Sequence, residues 1–361
     1  MNNSIKPGQV WFDTNGKPIQ AHGFSVFFKD GLYYWYGENK EYTKSFGTVW
    51  HWGVRCYTSK DLYNWEDKGL IIPPQPDDLH SPLHPTYCMD RPHIIYCEKT
   101  KKYVAWLKIM ASTTSQFMSV MQADDFMGPY EVVHKMYKPY QMDSGDFSLY
   151  VDQETNKAYF IFERPHFEMV TATLTDDYTE VSEEYSRHFQ QMLPPHTREA
   201  PAHFERNGKH YLFTSGTSGY LPNPSKIATF TDFHGEYMDL GDPHIGDPTG
   251  TSFSSQITCV LNIPGTDLYI ACADRWKPGK LNQWMAMKSL KMIERGMKRR
   301  NNKINDVNNE SPKETVPLPG KLKRHFDNTS KSTYVWLPIE WQGDKPVIRW
   351  HDEWRLEDFM K

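Results

Sequence analysis

Five times along this chain a segment opens on a small or polar residue, enters a strand, turns, and returns through an aromatic strand. The copies read Gly23-Phe-Ser-Val-Phe-Phe with Leu32-Tyr-Tyr-Trp-Tyr, Asp90-Arg-Pro-His-Ile-Ile with Tyr103-Val-Ala-Trp, Asp146-Phe-Ser-Leu-Tyr-Val with Ala158-Tyr-Phe-Ile-Phe, Glu199-Ala-Pro-Ala-His-Phe with His210-Tyr-Leu-Phe, and Gln256-Ile-Thr-Cys-Val-Leu with Leu268-Tyr-Ile-Ala. Their openings lie 67, 56, 53 and 57 residues apart. A repeat of that length built from strands predicts propeller blades of four strands each, and so an all-β, five-bladed β-propeller. Radial repetition brings equivalent positions of all blades to one axis. Asp90, Asp146, Glu199 and Gln256 hold such positions, which predicts three carboxylates and an amide converging on one pocket.

Composition narrows what that pocket binds. Apolar residues are 38% of the 361, yet aromatics reach 14%, which suits a sheet-rich chain with clefts where rings stack on sugars or bases. A net charge of −4 and a pI near 6.4 argue against a nucleic acid or an anionic membrane as partner. The five cysteines are odd in number and form no C-x-x-C pair, so they read as small buried strand residues rather than bridges or zinc ligands. Met1-Asn-Asn-Ser-Ile-Lys-Pro-Gly8 has no apolar leader core, and no apolar run is long enough to span a bilayer. The expectation is a cytoplasmic protein, or a secreted one if a leader has been removed.

The blades are expected at about 20–75, 86–138, 142–190, 197–242 and 250–350, with segment 10–14 pairing with the last blade to close the ring. Chain 1–361 thus reads as a single catalytic domain. One stretch interrupts it. Between about 288 and 324 the sequence turns basic and then polar, with Arg299-Arg300-Asn-Asn-Lys303, separating Trp284-Met-Ala-Met from Tyr334-Val-Trp-Leu. Few aromatics interleave these charges, so the stretch reads as a solvated insertion in blade five rather than a nucleic-acid patch.

Arg198-Glu-Ala-Pro201 is the sharpest local signal. Proline gives no N–H to a sheet ladder, so Pro201 is expected at the start of its strand, leaving Glu199 at the rim of the central funnel. Asp90-Arg-Pro92 repeats the arrangement.

With these residues in hand, the phrases Ile19-Gln-Ala-His-Gly23, Tyr34-Trp-Tyr-Gly-Glu38, Arg198-Glu-Ala-Pro201, Thr214-Ser-Gly-Thr-Ser-Gly219, Thr251-Ser-Phe-Ser-Ser-Gln256, Asp274-Arg-Trp276 and Tyr334-Val-Trp-Leu-Pro338 resemble glycoside hydrolase family 43. They are most similar to its exo-β-1,3-galactanase branch. The resemblance implies exo-acting hydrolysis with inversion at the anomeric carbon, which needs a general acid and, about 6.5–9.5 Å away, a base that activates water. It assigns Glu199 as the acid, with a raised pKa, and Asp146 as the carboxylate that binds the sugar and tunes the acid. Most of the family carries an Asp at the opening of blade one. Here Gln20-Ala-His-Gly23 has no carboxylate, as in the galactanase branch, where the amide matching Gln256 is thought to act as an imidic acid. Gln256 is then either that base or a group that orients the water or a sugar hydroxyl, with Glu38 or Asp90 taking the proton.

Glu38 and Thr217 match sugar-contacting positions, and Asp90 stands where the branch has Glu. Tyr220 replaces a Trp as a stacking platform, and His22 reads as a hydrogen-bonded axis residue or a ligand contact. Three further departures bear on specificity. Phe24 replaces Gly and is expected to add bulk beside the pocket. Gly145 replaces Arg, removing a cation, and Glu163-Arg-Pro-His-Phe167 replaces a sugar-contacting Glu-Asn-Asn run. The implied partner is an oligosaccharide whose galactosyl end is cleaved. Arabinofuranosyl, xylosyl or galactofuranosyl ends are the alternatives, and a glycan-binding propeller without catalysis is the reading from another class. No cofactor is expected. The family admits a structural calcium near the axis, although no ligand-spaced cluster in the sequence argues for one.

Overall fold

The computed structural model describes residues 1–112, 115–190, 193–279, 288–296 and 327–360. Short β-rich runs separated by Gly and Asn/Asp turns produce antiparallel sheets in which each strand pairs with the next in sequence. Blade one holds β1 (His22–Lys29), β2 (Leu32–Glu38), β3 (Val54–Ser59) and β4 (Glu66–Ile72). Blade two holds β5 (Cys88–Cys97), β6 (Lys102–Ser112), β7 (Ser115–Ala123) and β8 (Glu131–Tyr137). Blade three holds β9 (Phe147–Val151), β10 (Ala158–Arg164), β11 (Glu168–Leu174) and β12 (Val181–His188). Blade four holds β13 (Arg198–Arg206), β14 (Lys209–Gly216), β15 (Lys226–Phe230) and β16 (Met238–Gly241). Blade five is β18 (Gln256–Asn262), β19 (Tyr269–Arg275), β20 (Thr333–Gln342) and β21 (Lys345–Arg349), with β17 (His244–Ile245) added in parallel at its outer edge. The fold is a five-bladed β-propeller.

Each blade buries both faces against its neighbours, so the core is a ring of clusters rather than one centre. Trp35, Trp65, Trp336 and Tyr334 pack between blades one and five, Tyr36 and Leu107 between one and two, and Trp106 and Phe160 between two and three. Phe233 and Leu212 join blades three and four, and Phe213 and Leu337 join four and five. Phe24 belongs to this ring. It is fully buried and stacks on Trp336 at 5.7 Å, so its bulk fills the junction of blades one and five instead of crowding the pocket.

Ring closure differs from the expectation. Ile5 bridges Trp354, and Gly8 donates its N–H to the Tyr334 carbonyl at 2.6 Å. Segment 10–14 instead turns back on 17–19 and touches blade one: Phe12 bridges Pro18, the Asp13 N–H bonds the Lys17 carbonyl, and the Thr14 N–H donates to the Trp65 carbonyl at 2.9 Å. Trp11 seals the seam against Trp35, Tyr334 and Trp336. The strand that pairs with β20 is β19, with a helix at 288–296 in the connection; Trp284-Met-Ala-Met and 297–326 lie outside the described residues.

Candidate active site

The innermost strands do not reach the axis as regular ladders. Register shifts interrupt β1 between His22 and Ser25, β5 between Asp90 and His93, β13 between Glu199 and Ala202, and β18 between Ile257 and Cys259. Pro92 and Pro201 therefore sit inside their strands, at bulges, rather than at the strand starts expected from their missing N–H; a bulge leaves one residue unpaired, which is what proline requires. The residues after Asp90 and Glu199 are left-handed, Arg91 at φ 49° and Ala200 at φ 52°. That conformation costs a non-glycine residue about 1–2 kcal/mol. It turns the preceding carboxylates toward the axis. Gly23 takes the same turn at φ 53°, and a Cβ there would lie 2.1 Å from Glu38 Oε1.

The bulges open a cleft of about 260 Å³ at the hub, lined by Glu38, Asp90, Asp146, Glu163, Glu199, Tyr220 and Gln256 together with Arg91, Lys108 and Trp276. Its charged groups form one continuous chain. Fully buried Lys40 ion-pairs with Glu38 and lies 3.9 Å from Asp90 Oδ1. Lys108 Nζ bridges Asp90 Oδ2 at 3.2 Å and Asp146 Oδ1 at 2.7 Å, and Arg91 Nε holds Asp146 Oδ2 at 2.8 Å. Arg91 Nη2 then donates to Gln256 Oε1 at 2.7 Å. Gln256 Nε2 donates to Ser215 Oγ at 2.8 Å and to Glu199 Oε1 at 3.4 Å.

These contacts divide the carboxyl groups. Burial pushes Asp90 and Asp146 upward, but Lys108 with Lys40 at the first, and Arg91 with Lys108 at the second, reverse it and hold both below the usual range. Glu199 has no cation within ion-pair distance among the described residues. Burial pushes its carboxyl well above the usual range, and the negative charges of Glu163 and Asp146 add to the shift. Burial likewise raises Glu38, with Lys40 pulling against it. The cleft thus gathers carboxyl groups pushed in opposite directions, Glu199 and Glu38 upward and Asp90 and Asp146 downward.

Gln256 is oriented from four sides. Its oxygen accepts from Arg91 and from Trp276 Nε1 at 3.0 Å, while its nitrogen faces Ser215 and Glu199. An imidic acid would turn its O–H against two N–H donors. The amide also lies beside Glu199 rather than across the cleft from it.

Not every candidate reaches the cleft. His22 is fully buried, with Nδ1 2.9 Å from Asp274 Oδ1 and its ring stacked on Tyr334 at 5.0 Å, so both faces of its chemistry are used in the axis packing. Thr217 is buried with its hydroxyl 2.5 Å from that of Thr197, and it does not line the cleft. Tyr220 does, with its ring 5.1 Å from Trp276. Conversely Lys40, Lys108, Gln116 and Trp50 were not singled out from sequence. Lys108 carried a readable signal: it stands between the apolar, fully buried Leu107 and Ile109 in β6, where an uncompensated lysine is not tolerated. At Gly145, a Cβ would lie 2.4 Å from Glu163 Oε2, so a larger side chain would have to displace the Glu163 carboxylate, and Lys108 brings to Asp146 the cation that position lacks.

Calcium takes six to eight oxygen ligands. The group of described residues whose ligand atoms converge within 4.8 Å, Glu163, His166 and Glu199, mixes an imidazole with two carboxylates and includes the raised Glu199. That donor set does not suit calcium.

A five-bladed propeller whose axial cleft holds carboxyl groups with pKa values pushed apart is a frame suited to glycoside hydrolysis. The model of glycosyl hydrolases family 43 matches residues 19–250, and the chain belongs to that family. Among solved structures it is similar to a family 43 β-1,3-galactosidase, 28% identical, with a TM-score of 0.77, over 99% of this chain and 65% of that one. The chain thus spans slightly less than two thirds of that relative. A second family 43 β-1,3-galactosidase, solved with galactodeoxynojirimycin, is 25% identical over 98% of this chain and 100% of that one, with a TM-score of 0.74. An exo-β-1,3-galactanase from Phanerochaete chrysosporium, solved with β-1,3-galactotriose, shares the fold at 24% identity, covering 98% of this chain and 68% of that one with a TM-score of 0.74. No curated protein matches the chain.

Proposed function

We propose that the protein is an inverting, exo-acting hydrolase that releases galactose from the ends of β-1,3-linked galactosyl chains. The observation that carries the mechanism is the division of carboxyl groups. Glu199 alone in the charged chain lacks a cation, so it holds a proton for the leaving oxygen near neutrality. Asp90, kept ionised by Lys108 and Lys40 and with its side chain 18% exposed to the cleft, accepts the proton of the attacking water. It comes from blade two and Glu199 from blade four. Blades that are not neighbours in a five-fold ring leave room for a sugar and a water between the two groups. Asp146, fixed by Arg91 and Lys108, faces the sugar and keeps Glu199 protonated. Gln256 holds Glu199 and the substrate in place as a hydrogen-bond donor. The choice of galactose is supported by the two β-1,3-galactosidases at 25% identity or more.

The test is proton NMR of β-1,3-galactobiose during early turnover, with aryl β-galactofuranoside, α-arabinofuranoside and β-xyloside alongside. The expected first product is α-galactose, which then mutarotates. First appearance of the β anomer would refute inversion. Turnover of another glycoside with none of the disaccharide would move the specificity to that sugar, and sugar binding without any turnover would favour a binding-only propeller.

A further inference from the structure

A second cavity, of about 370 Å³, adjoins the cleft and is lined by Pro195, Arg198, Pro224, Lys226, Leu290 and Lys291. Segment 216–224 separates the two: Gly219 and Tyr220 line the cleft, while Gly216, Asn223 and Pro224 line the second cavity. Arg198 and Glu199 are successive residues of β13, so one faces each cavity.

Arg198 is the anomaly. It is 5% exposed, and its Nε and Nη2 bond only the hydroxyl and carbonyl oxygens of Thr214, at 2.9 and 2.6 Å. Among the described residues no carboxylate lies within ion-pair distance of it. A buried guanidinium without an anion is unfavourable by several kcal/mol, so buried arginines are normally paired. Among the described residues Nη1 has no hydrogen-bond partner, and Arg198 lines the cavity. Burial lowers the Arg198 pKa to about 10, the direction an unpaired cation takes. Lys226 is balanced by Asp239 at 2.5 Å, Lys291 and Glu294 contribute one charge of each sign to the lining, and Asp239 and Asp242 act on Arg198 only from beyond ion-pair distance, so its guanidinium is the buried charge left without a direct partner. Pro195, Pro224 and Leu290 supply apolar walls. Ligand pockets run from roughly 300 Å³ upward, so the space suits a group of about one sugar ring.

We propose that this cavity is a subsite for a carboxylate-bearing sugar, a uronate unit, whose carboxylate meets Arg198 and whose ring C–H face lies on the two prolines and Leu290. Only the choice of a sugar rests on the carbohydrate reading above. A free inorganic anion is the other source of the same charge.

The test is calorimetric titration of the whole protein with methyl glucuronide, methyl glucoside and sodium sulfate, none of which contains a galactosyl chain. Failure of the galactose assignment therefore leaves this measurement intact. Methyl glucuronide is expected to bind and methyl glucoside not to. Lys291→Glu, on the exposed helix, is expected to weaken glucuronide binding about threefold to fivefold, the range for a partly exposed charge pair, with hydrolysis unchanged. Arg198→Gln is expected to abolish it. Absence of glucuronide binding, equal binding of the glucoside, or an affinity unchanged in Lys291→Glu would overturn the proposal. Sulfate binding as tightly as glucuronide would overturn its sugar half.

Discussion

Lys108 is where the charged chain is most exposed to test. Its ammonium touches Asp90 and Asp146 at once, and Lys108→Met removes it without changing the length of the side chain greatly. Asp146 keeps Arg91 at 2.8 Å, whereas Asp90 keeps only Lys40 at 3.9 Å, so the deficit falls on Asp90. Removing one partner of a buried pair costs about 3–5 kcal/mol. The lower end applies here, because Asp90 reaches some solvent and relieves part of the cost by taking up a proton. Each unit by which its pKa then rises corresponds to about 1.4 kcal/mol. A group whose folded pKa is depressed gives stability above its unfolded value and loses it as pH falls, so losing Lys108 removes stability at neutral pH. The expected result is a fall of about 3 kcal/mol in unfolding free energy by urea titration. The acid limb of kcat/KM for β-1,3-galactobiose should also rise by at least about one pH unit, since that limb reports the free enzyme's base. Lys108→Arg should restore both in part. A folded Lys108→Met enzyme with an unmoved acid limb would refute the assignment of Asp90 as proton acceptor.

Three further outcomes are expected. Glu199→Gln should lower kcat on the disaccharide by about 10²–10⁴-fold while galactose still binds, and near-normal turnover would remove Glu199 as the acid. Gln256→Ala leaves Arg91 Nη2 and Trp276 Nε1 without their acceptor and should lower kcat/KM about tenfold, or 1.4 kcal/mol, with the acid limb in place; a loss as large as that of Glu199→Gln would return proton transfer to the amide. Burial, aided by Lys40, Arg91 and His234 respectively, lowers His51 and His93 to about 3 and His188 to about 4. These histidines bind protons only when unfolded, so stability present above pH 6.5 should fall below it, by about 1.4 kcal/mol per pH unit for each of the three, against opposite contributions from the two raised carboxyls, Glu199 and Glu38. Urea midpoints that stay level from pH 7.5 to 5.5 in Glu199→Gln would contradict this.

The repeat made the fold legible. Strand periodicity and turn residues are local properties, and five copies of one pattern leave a closed ring as the way to bury both faces of every blade. The openings of blades two to five named Asp90, Asp146, Glu199 and Gln256 from spacing alone, and the cleft brings all four together. What was not legible depends on contacts between blades. The bulges at Arg91 and Ala200 decide where the preceding carboxylates point, yet in sequence they show only as a proline one residue late. His22 and Thr217 belong to the same motifs as the cleft residues, but Asp274 and Thr197 draw them into the packing. The protonation of Glu199 was expected only by resemblance. Its physical cause is burial at the hub, with the charges of Glu163 and Asp146 from blade three adding to it while Lys108 and Arg91 stop short of an ion pair, an arrangement that only ring closure sets.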